Sequence, residues 1–303
     1  MSADCHVGTL KASRPQTLTA IDANTDRRSP SRLRFVRGWR RTVAIGCDRG
    51  AGACAAADTP RVIVWVARTA SLLRARSALK VLTDDDWAAF AQLRAEATRN
   101  SATAAKILLR LGLSQAVGRR VEPRDWQFQR TPLGKPLVST AMPDVNFSVS
   151  HADAVTVVAA CSSLNLGVDV ELIDQDVAAG VLNGFCNPDE RAALQNLSPY
   201  RRDREFIRIW TQKEAYTKLL GSGHSLEFSS IRCSGGAVVP GSESEAGSSV
   251  YFDNFFVSEG SSLYYVSLAI DAPRFDVGEI DIQLIDVVGP GRIKSKAGIS
   301  VVV

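Results

Sequence analysis

The chain has 303 residues, 45% of them hydrophobic and 22% charged, with a formal net charge of +4, which is the composition of a globular protein long enough to bury a sizeable core. The charge is uneven: residues 1–61 carry Lys11 and ten arginines against five aspartates and no glutamate. The basic character therefore belongs to a tail, and it argues against nucleic acid as the partner of the folded body. Six scattered cysteines without a CxxC pair, and three histidines in all, exclude a zinc-type spacing and predict free thiols in a reducing cytosol. No run approaches the ~18 apolar residues of a membrane span, so a cytoplasmic protein with no membrane partner is expected.

In chain order, residues 1–60 are rich in Arg, Ser, Thr, Ala and Gly without a sustained period and read as a disordered basic extension. The first element is the strand "RVIVWVAR", bounded by Pro60. Thr83 is placed to cap a helix over "DDDWAAFAQLRAEA", whose leading aspartates suit a helix N-terminus. A second helix is predicted over "SATAAKILLRLGLSQAVG", stopped by Gly118. The loop "TPLGKPLVS" leads into three strands, "VNFSVS", "AVTVVAACS" and "LGVDVELI". Asn187 and Ser198 each precede a proline, the pattern of an N-cap with Pro at the first helical position. They open helices at "PDERAALQNL" and "PYRRDREFIRIWTQKEAYTKLLG", and the strands "SVYFDNFFV" and "SLYYVSLAI" follow. Strand, helices, strands thus occurs twice. This predicts an α+β fold of two similar halves, 61–162 and 163–289, split near Ser163, with a C-terminal tail at 290–303.

Two stretches carry chemistry. In "GVDVE", Val168 and Val170 fall on one strand face and Asp169 and Glu171 on the other. Two carboxylates so close repel each other, and a merely solvated face would be one way to tolerate them. On the helix "RIWTQKEAYTKLLGSG", an angle of 100° per residue puts Phe206, Ile209, Tyr216 and Leu220 on the buried stripe. Lys213 then falls at its edge, and Glu214 and Lys218 line its flank one turn apart. A plain i,i+4 ion pair would need no function. A flank beside the core stripe faces a neighbouring element, however. If that neighbour is the acidic strand, Asp169, Glu171 and Glu214 converge, and three ionised carboxylates need a cation. Oxygen donors without Cys or His select a hard ion, Mg²⁺ before Ca²⁺ or Mn²⁺. Magnesium bound in this way completes its shell with water and phosphate. Lys213, Lys218, Lys135 in "GKP" and Ser150 with His151 in "NFSVSH" are the available phosphate partners. Without a Walker A or GxGxxG motif, the residues point to a Mg²⁺-dependent enzyme acting on a phosphoanhydride.

"GKP" followed by "FSVSHA", then "GVDVE", then "WTQKEAYTKLLG" resembles the signature set of the Sfp-type 4′-phosphopantetheinyl transferases, over about Arg61 to Arg274. The resemblance implies a pseudo-dimer within one chain, with the active site between the halves, and monomers. It implies transfer of phosphopantetheine from coenzyme A to a serine of an apo acyl or peptidyl carrier protein, releasing adenosine 3′,5′-bisphosphate. By position, Asp169, Glu171 and Glu214 would hold Mg²⁺, and Glu214 would serve as base, directly or through a metal-bound water. Lys218 would stabilise the pyrophosphate, with Lys213 in the same region. Ser150 and His151 would contact phosphates of coenzyme A, and Lys135 its adenylate end. For Arg99, Lys106 and Arg110 of the first half, ordinary solvated helix charge is the expectation. Other readings of the same carboxylates are a different Mg²⁺-dependent phosphoryl transferase or phosphohydrolase, or a non-catalytic coenzyme A-binding protein.

Overall fold

A computed structural model describes residues 34–37, 60–222, 226–234, 237–239, 250–271, 280–287 and 293–294. The elements run β1 (Arg34–Arg37), β2 (Arg61–Arg68), α1 (Thr69–Arg74), α2 (Arg76–Leu79), α3 (Asp84–Ala91), α4 (Glu96–Ala116), β3 (Phe128–Arg130), β4 (Pro136–Val138), β5 (Asn146–Ala152) and β6 (Val155–Cys161). The second half continues with β7 (Asn165–Leu172), α5 (Ala179–Phe185), α6 (Pro188–Gln195), α7 (Pro199–Leu220), β8 (Arg232–Ser234), β9 (Ala237–Val239), β10 (Val250–Glu259) and β11 (Ser262–Asp271), then β12 (Asp281–Val287) and β13 (Ile293–Lys294).

The α+β architecture repeats. Each half runs strand, helices, small hairpin, then a long hairpin, and in each sheet the third long strand sits between the other two: β2-β6-β5 and β7-β11-β10. Alternation along β2 explains its place in the middle of the molecule. Val62, Val64 and Val66 enter the core between the two sheets. Ile63, Trp65 and Ala67 enter a second core beneath α4. Burying such side chains stabilises by roughly 1.5–3 kcal/mol each. Gly112 of α4 lets that helix approach the Trp65 ring, which lies 3.0 Å from where a Cβ would stand. On the far side, α7 packs on the sheet of β7, β11 and β10 through Ala215, Tyr216 and Leu219 at one end and Phe206 and Ile209 at the other.

Two additions break the twofold plan. Strand β12 returns to the first half and pairs parallel with β2, from Asp281↔Arg61 to Val287↔Ala67, so 163–289 is not a self-contained half, and β13, from the expected tail, pairs with β12. Strand β1, inside the segment expected to be disordered, pairs antiparallel with β10. The remainder of 1–59 lies outside the described residues.

Helix boundaries also differ from expectation. Thr83 does cap α3, in a capping box with Asp86, but the helix stops at Ala91 instead of running on to Ala97. Arg99 donates to the carbonyls of Leu93 and Arg94, which holds the chain in a turn there, and α4 starts at Glu96. Asn187 forms a capping box with Glu190, whereas the Ser198 side chain makes no capping bond. Cys161 and Cys186 are free and buried. Among the described residues no helix is long and apolar enough to cross a membrane.

Candidate active site

The two sheets meet where the edge of β5 runs beside β7, and serine side chains make the junction. The backbone N–H of Val168 donates to Ser148 Oγ at 2.9 Å, and that of Val170 donates to Ser150 Oγ at 3.4 Å. This places Ser150 and His151 beside the acidic face of β7. Helix α7 covers that face because Gly167 has no side chain: a Cβ there would stand 2.1 Å from the Ala215 carbonyl oxygen and 2.4 Å from the Leu219 nitrogen. Close seating of the helix shifts its buried stripe toward Ala215 and Leu219. Leu220, expected inside, is 47% exposed as a result, and Gly221 ends the helix in the left-handed region with φ 70°.

Ser150, His151, Asp169, Glu171, Glu214 and Lys218 line one open cavity, with Trp210 at its wall. Asp169 is 3% exposed, so this strand face is not simply solvated. Its Oδ1 accepts from Ser150 Oγ at 2.7 Å and from Lys218 Nζ at 2.6 Å; the same ammonium donates to Ser150 Oγ at 2.9 Å. Glu171 Oε1 accepts from the Trp210 indole at 3.3 Å. Burial, then the neighbouring Asp169 and Glu214 carboxylates, push the Glu171 pKa up to about 7, against the opposing pull of Trp210 and Lys218. His151 stands at the exposed rim, where partial desolvation and the Lys218 ammonium hold its pKa below the usual histidine value.

A second, more apolar cavity opens from the first, sharing Val149, Glu214 and Lys218 and adding Leu133, Lys135, Pro136, Phe147 and Gly221. Lys135 lies with its stem against Gly221 and donates from Nζ to the Leu219 carbonyl at 2.7 Å, which satisfies one of the last carbonyls of α7. Desolvation lowers its pKa.

The chain matches the sequence model described as "4'-phosphopantetheinyl transferase, N-terminal" over residues 65–163. The model of the "4'-phosphopantetheinyl transferase superfamily" follows over residues 165–254, and together the two take in more than half of the chain. The chain belongs to the 4′-phosphopantetheinyl transferase superfamily. The boundary between the matches falls at the turn from β6 to β7. A phosphopantetheinyl transferase of Thraustochytrium sp. is 28% identical over 176 residues, 54% of this chain and 59% of the relative. The 4'-phosphopantetheinyl transferase gsp of Aneurinibacillus migulanus is 31% identical over 104 residues, 34% of this chain and 42% of the relative. The corresponding figures for psf-1 of Bacillus pumilus are 32% over 104 residues, 34% and 43%. The chain spans about half the length of these relatives.

In this superfamily member the residues singled out in "NFSVSH" and "GVDVE", with Glu214 and Lys218, lie around one cavity, and Lys135 lines its neighbour. Lys213 does not join them. It is 0% exposed, and its Nζ donates to Glu190 Oε2 at 2.7 Å, the Phe185 carbonyl at 2.8 Å and the Phe228 carbonyl at 2.9 Å. An ammonium has three protons, and all are used, so the expected phosphate contact is corrected to a structural role. Its counter-charge is the capping-box glutamate of α6, Glu190, a partner set by how α6 packs against α7. Arg110 is likewise not a solvated charge. It is 3% exposed and binds Asp86 Oδ2 at 2.9 Å through Nε and the carbonyls of Pro123, Arg124 and Trp126.

Among the described residues no three acidic, histidine or cysteine side chains form a ready-made metal shell. The donor set still suits one class of ion. Asp169 and Glu214 both raise the pKa of Glu171, all three carboxylates line one cavity, and an all-oxygen set with room for water and phosphate fits a hard cation of the Mg²⁺ kind.

Proposed function

We propose that the protein transfers the 4′-phosphopantetheine group of coenzyme A to a serine of an apo acyl or peptidyl carrier protein, with Mg²⁺ held by Asp169, Glu171 and Glu214. The observation that supports this reading is the gathering of three carboxylates, an ammonium, a histidine and a serine around one cavity that continues into an apolar one. The names of the relatives supply the reaction class.

The chemistry follows from those groups. A serine hydroxyl is a weak nucleophile near neutral pH and needs a positioned base; Glu214, carried on the helix seated against Gly167, accepts its proton. The serine oxygen bonds to the β-phosphorus of coenzyme A as the bond to the bridging oxygen breaks, and adenosine 3′,5′-bisphosphate leaves with that electron pair. Lys218 and His151 donate to the phosphate oxygens, with Ser150 holding Lys218 at the cavity wall. Bound Mg²⁺ supplies charge neutralisation at the pyrophosphate. The adenylate end takes the apolar cavity beside Pro136, Phe147 and Lys135.

The test is incubation with coenzyme A, Mg²⁺ and a panel of apo carrier proteins, read by intact-mass spectrometry. The expected result is a Mg²⁺-dependent gain of one phosphopantetheine mass on a carrier, absent with Glu171→Ala. Coenzyme A binding with no gain on any carrier would overturn the transferase reading in favour of a non-catalytic binder. Release of phosphate products without any acceptor would instead favour a phosphohydrolase.

A further inference from the structure

The sheet face beneath α7 is layered. Gly167, Ala269 and Phe252 form one cross-strand row, and the last two pack with Tyr216 in an apolar cluster. Glu171, Tyr265 and Phe256 form another row, whose aromatic members pack with Phe206 and Ile209. Between them runs Asp169, Ser267 and Asn254, which are 3%, 0% and 9% exposed. On α7, Gln212 lies one turn before Tyr216 and three residues after Ile209, and so sits over this middle row; it is 0% exposed.

All four residues of this polar layer carry an atom shielded from solvent that has no hydrogen-bond partner among the described residues: Asp169 Oδ2, Ser267 Oγ, Asn254 Oδ1 and Gln212 Nε2. Buried polar atoms in native proteins are almost always paired. Here donors and acceptors are complementary, since the Gln212 amide donates, the Asp169 and Asn254 oxygens accept and the Ser267 hydroxyl does both. Buried polar atoms that together offer about three partners to one molecule are the chemistry of a buried-water site.

We propose that Gln212, Asn254 and Ser267 hold buried water against Oδ2 of Asp169 and act as positioning residues for that carboxylate. Ser150 and Lys218 fix Oδ1 from the cavity side; the hydrated layer fixes the other oxygen from behind. The inference rests on the proposed function, in which Asp169 binds Mg²⁺. Outer-shell partners of a ligating group are worth about 10–100-fold in metal affinity.

The experiment uses the full chain with Ser267→Ala, titrated with Mg²⁺ by calorimetry and melted free of metal. The expected result is a cooperative melt with a midpoint no higher than the parent's and a Mg²⁺ affinity weakened about tenfold or more. A raised metal-free midpoint overturns the proposal, because deleting a dry, unpaired hydroxyl stabilises a fold. An affinity within about twofold of the parent's overturns it as well. If Ser267→Ala does not fold, Asn254→Ala is read by the same two criteria. A parent chain that binds no Mg²⁺ sinks the metal reading itself, and this role with it; a parent that binds beside an unaltered variant sinks the inference alone.

Discussion

Replacing Glu171 by Gln isolates the electrostatic strain in the candidate site. The folded-state pKa of Glu171 is raised from 4.5 to about 7, chiefly by burial and then by Asp169. A carboxyl with a raised pKa binds more protons in the folded chain than in the unfolded one. Its favourable contribution is therefore complete below pH 4.5 and is lost as pH rises through about 7. A shift of that size is worth about 3 kcal/mol above pH 7. Gln keeps a carbonyl oxygen for the Trp210 indole to donate to and never ionises. In metal-free protein, Glu171→Gln should therefore match the parent in urea denaturation near pH 4.5 and exceed it by up to about 3 kcal/mol at pH 8. Trp210 fluorescence should report the parent's titration near pH 7. Added Mg²⁺ should stabilise the parent increasingly as pH rises through 7, because ligands must deprotonate, and should do little for the variant. A stability difference that stays constant between pH 5 and 8 would refute the reasoning, as would a variant weaker than the parent at pH 8.

Other substitutions probe the supports of the site. Gly167→Ala drives a Cβ into the backbone of Ala215 and Leu219, so α7 must lift; a loss of about 3 kcal/mol is expected by denaturation, together with loss of carrier modification in the mass assay. Lys213→Met removes the ammonium that neutralises the buried Glu190 carboxylate and donates to two carbonyls, which should cost about 3–5 kcal/mol. A variant that melts like the parent but shows a raised KM for coenzyme A would restore Lys213 as a phosphate contact. Lys218→Ala removes the ammonium at Asp169 and Ser150, and transfer should fall about 10²–10³-fold in single-turnover kinetics with the fold intact.

What sequence periodicity could reach and what it could not divide along a physical line. The strict alternation of "GVDVE" and the flank position of Glu214 and Lys218 were legible because both follow from bond geometry within one element; that the two line one cavity is a matter of packing, which the periodicity left conditional. Lys213 was misread because its partner depends on how α6 stands against α7, a contact between elements that no period encodes. Leu220 was misread for a related reason. An ideal 100° wheel assumes one neighbour, whereas α7 leans onto the bare backbone of Gly167 and turns Leu219 inward instead.

The C-terminal strand marks the same boundary at the scale of the whole chain. "DIQLIDV" is as strand-like as "RVIVWVAR", but nothing local says that Asp281 will lie beside Arg61 across more than 200 residues of intervening chain. The reason is on the other strand. β2 is buried on both faces, between the core shared by the sheets and the core beneath α4, and a strand so enclosed needs both of its edges hydrogen-bonded. Strand β6 supplies one edge; within the first half no long strand remains for the other, because β5 is already placed on the far side of β6. Parallel pairing by β12 meets that demand. The two halves that the repeated pattern suggests are thus tied by an edge that the first half cannot close alone, on the opposite side of its sheet from β5, where Ser150 faces Asp169.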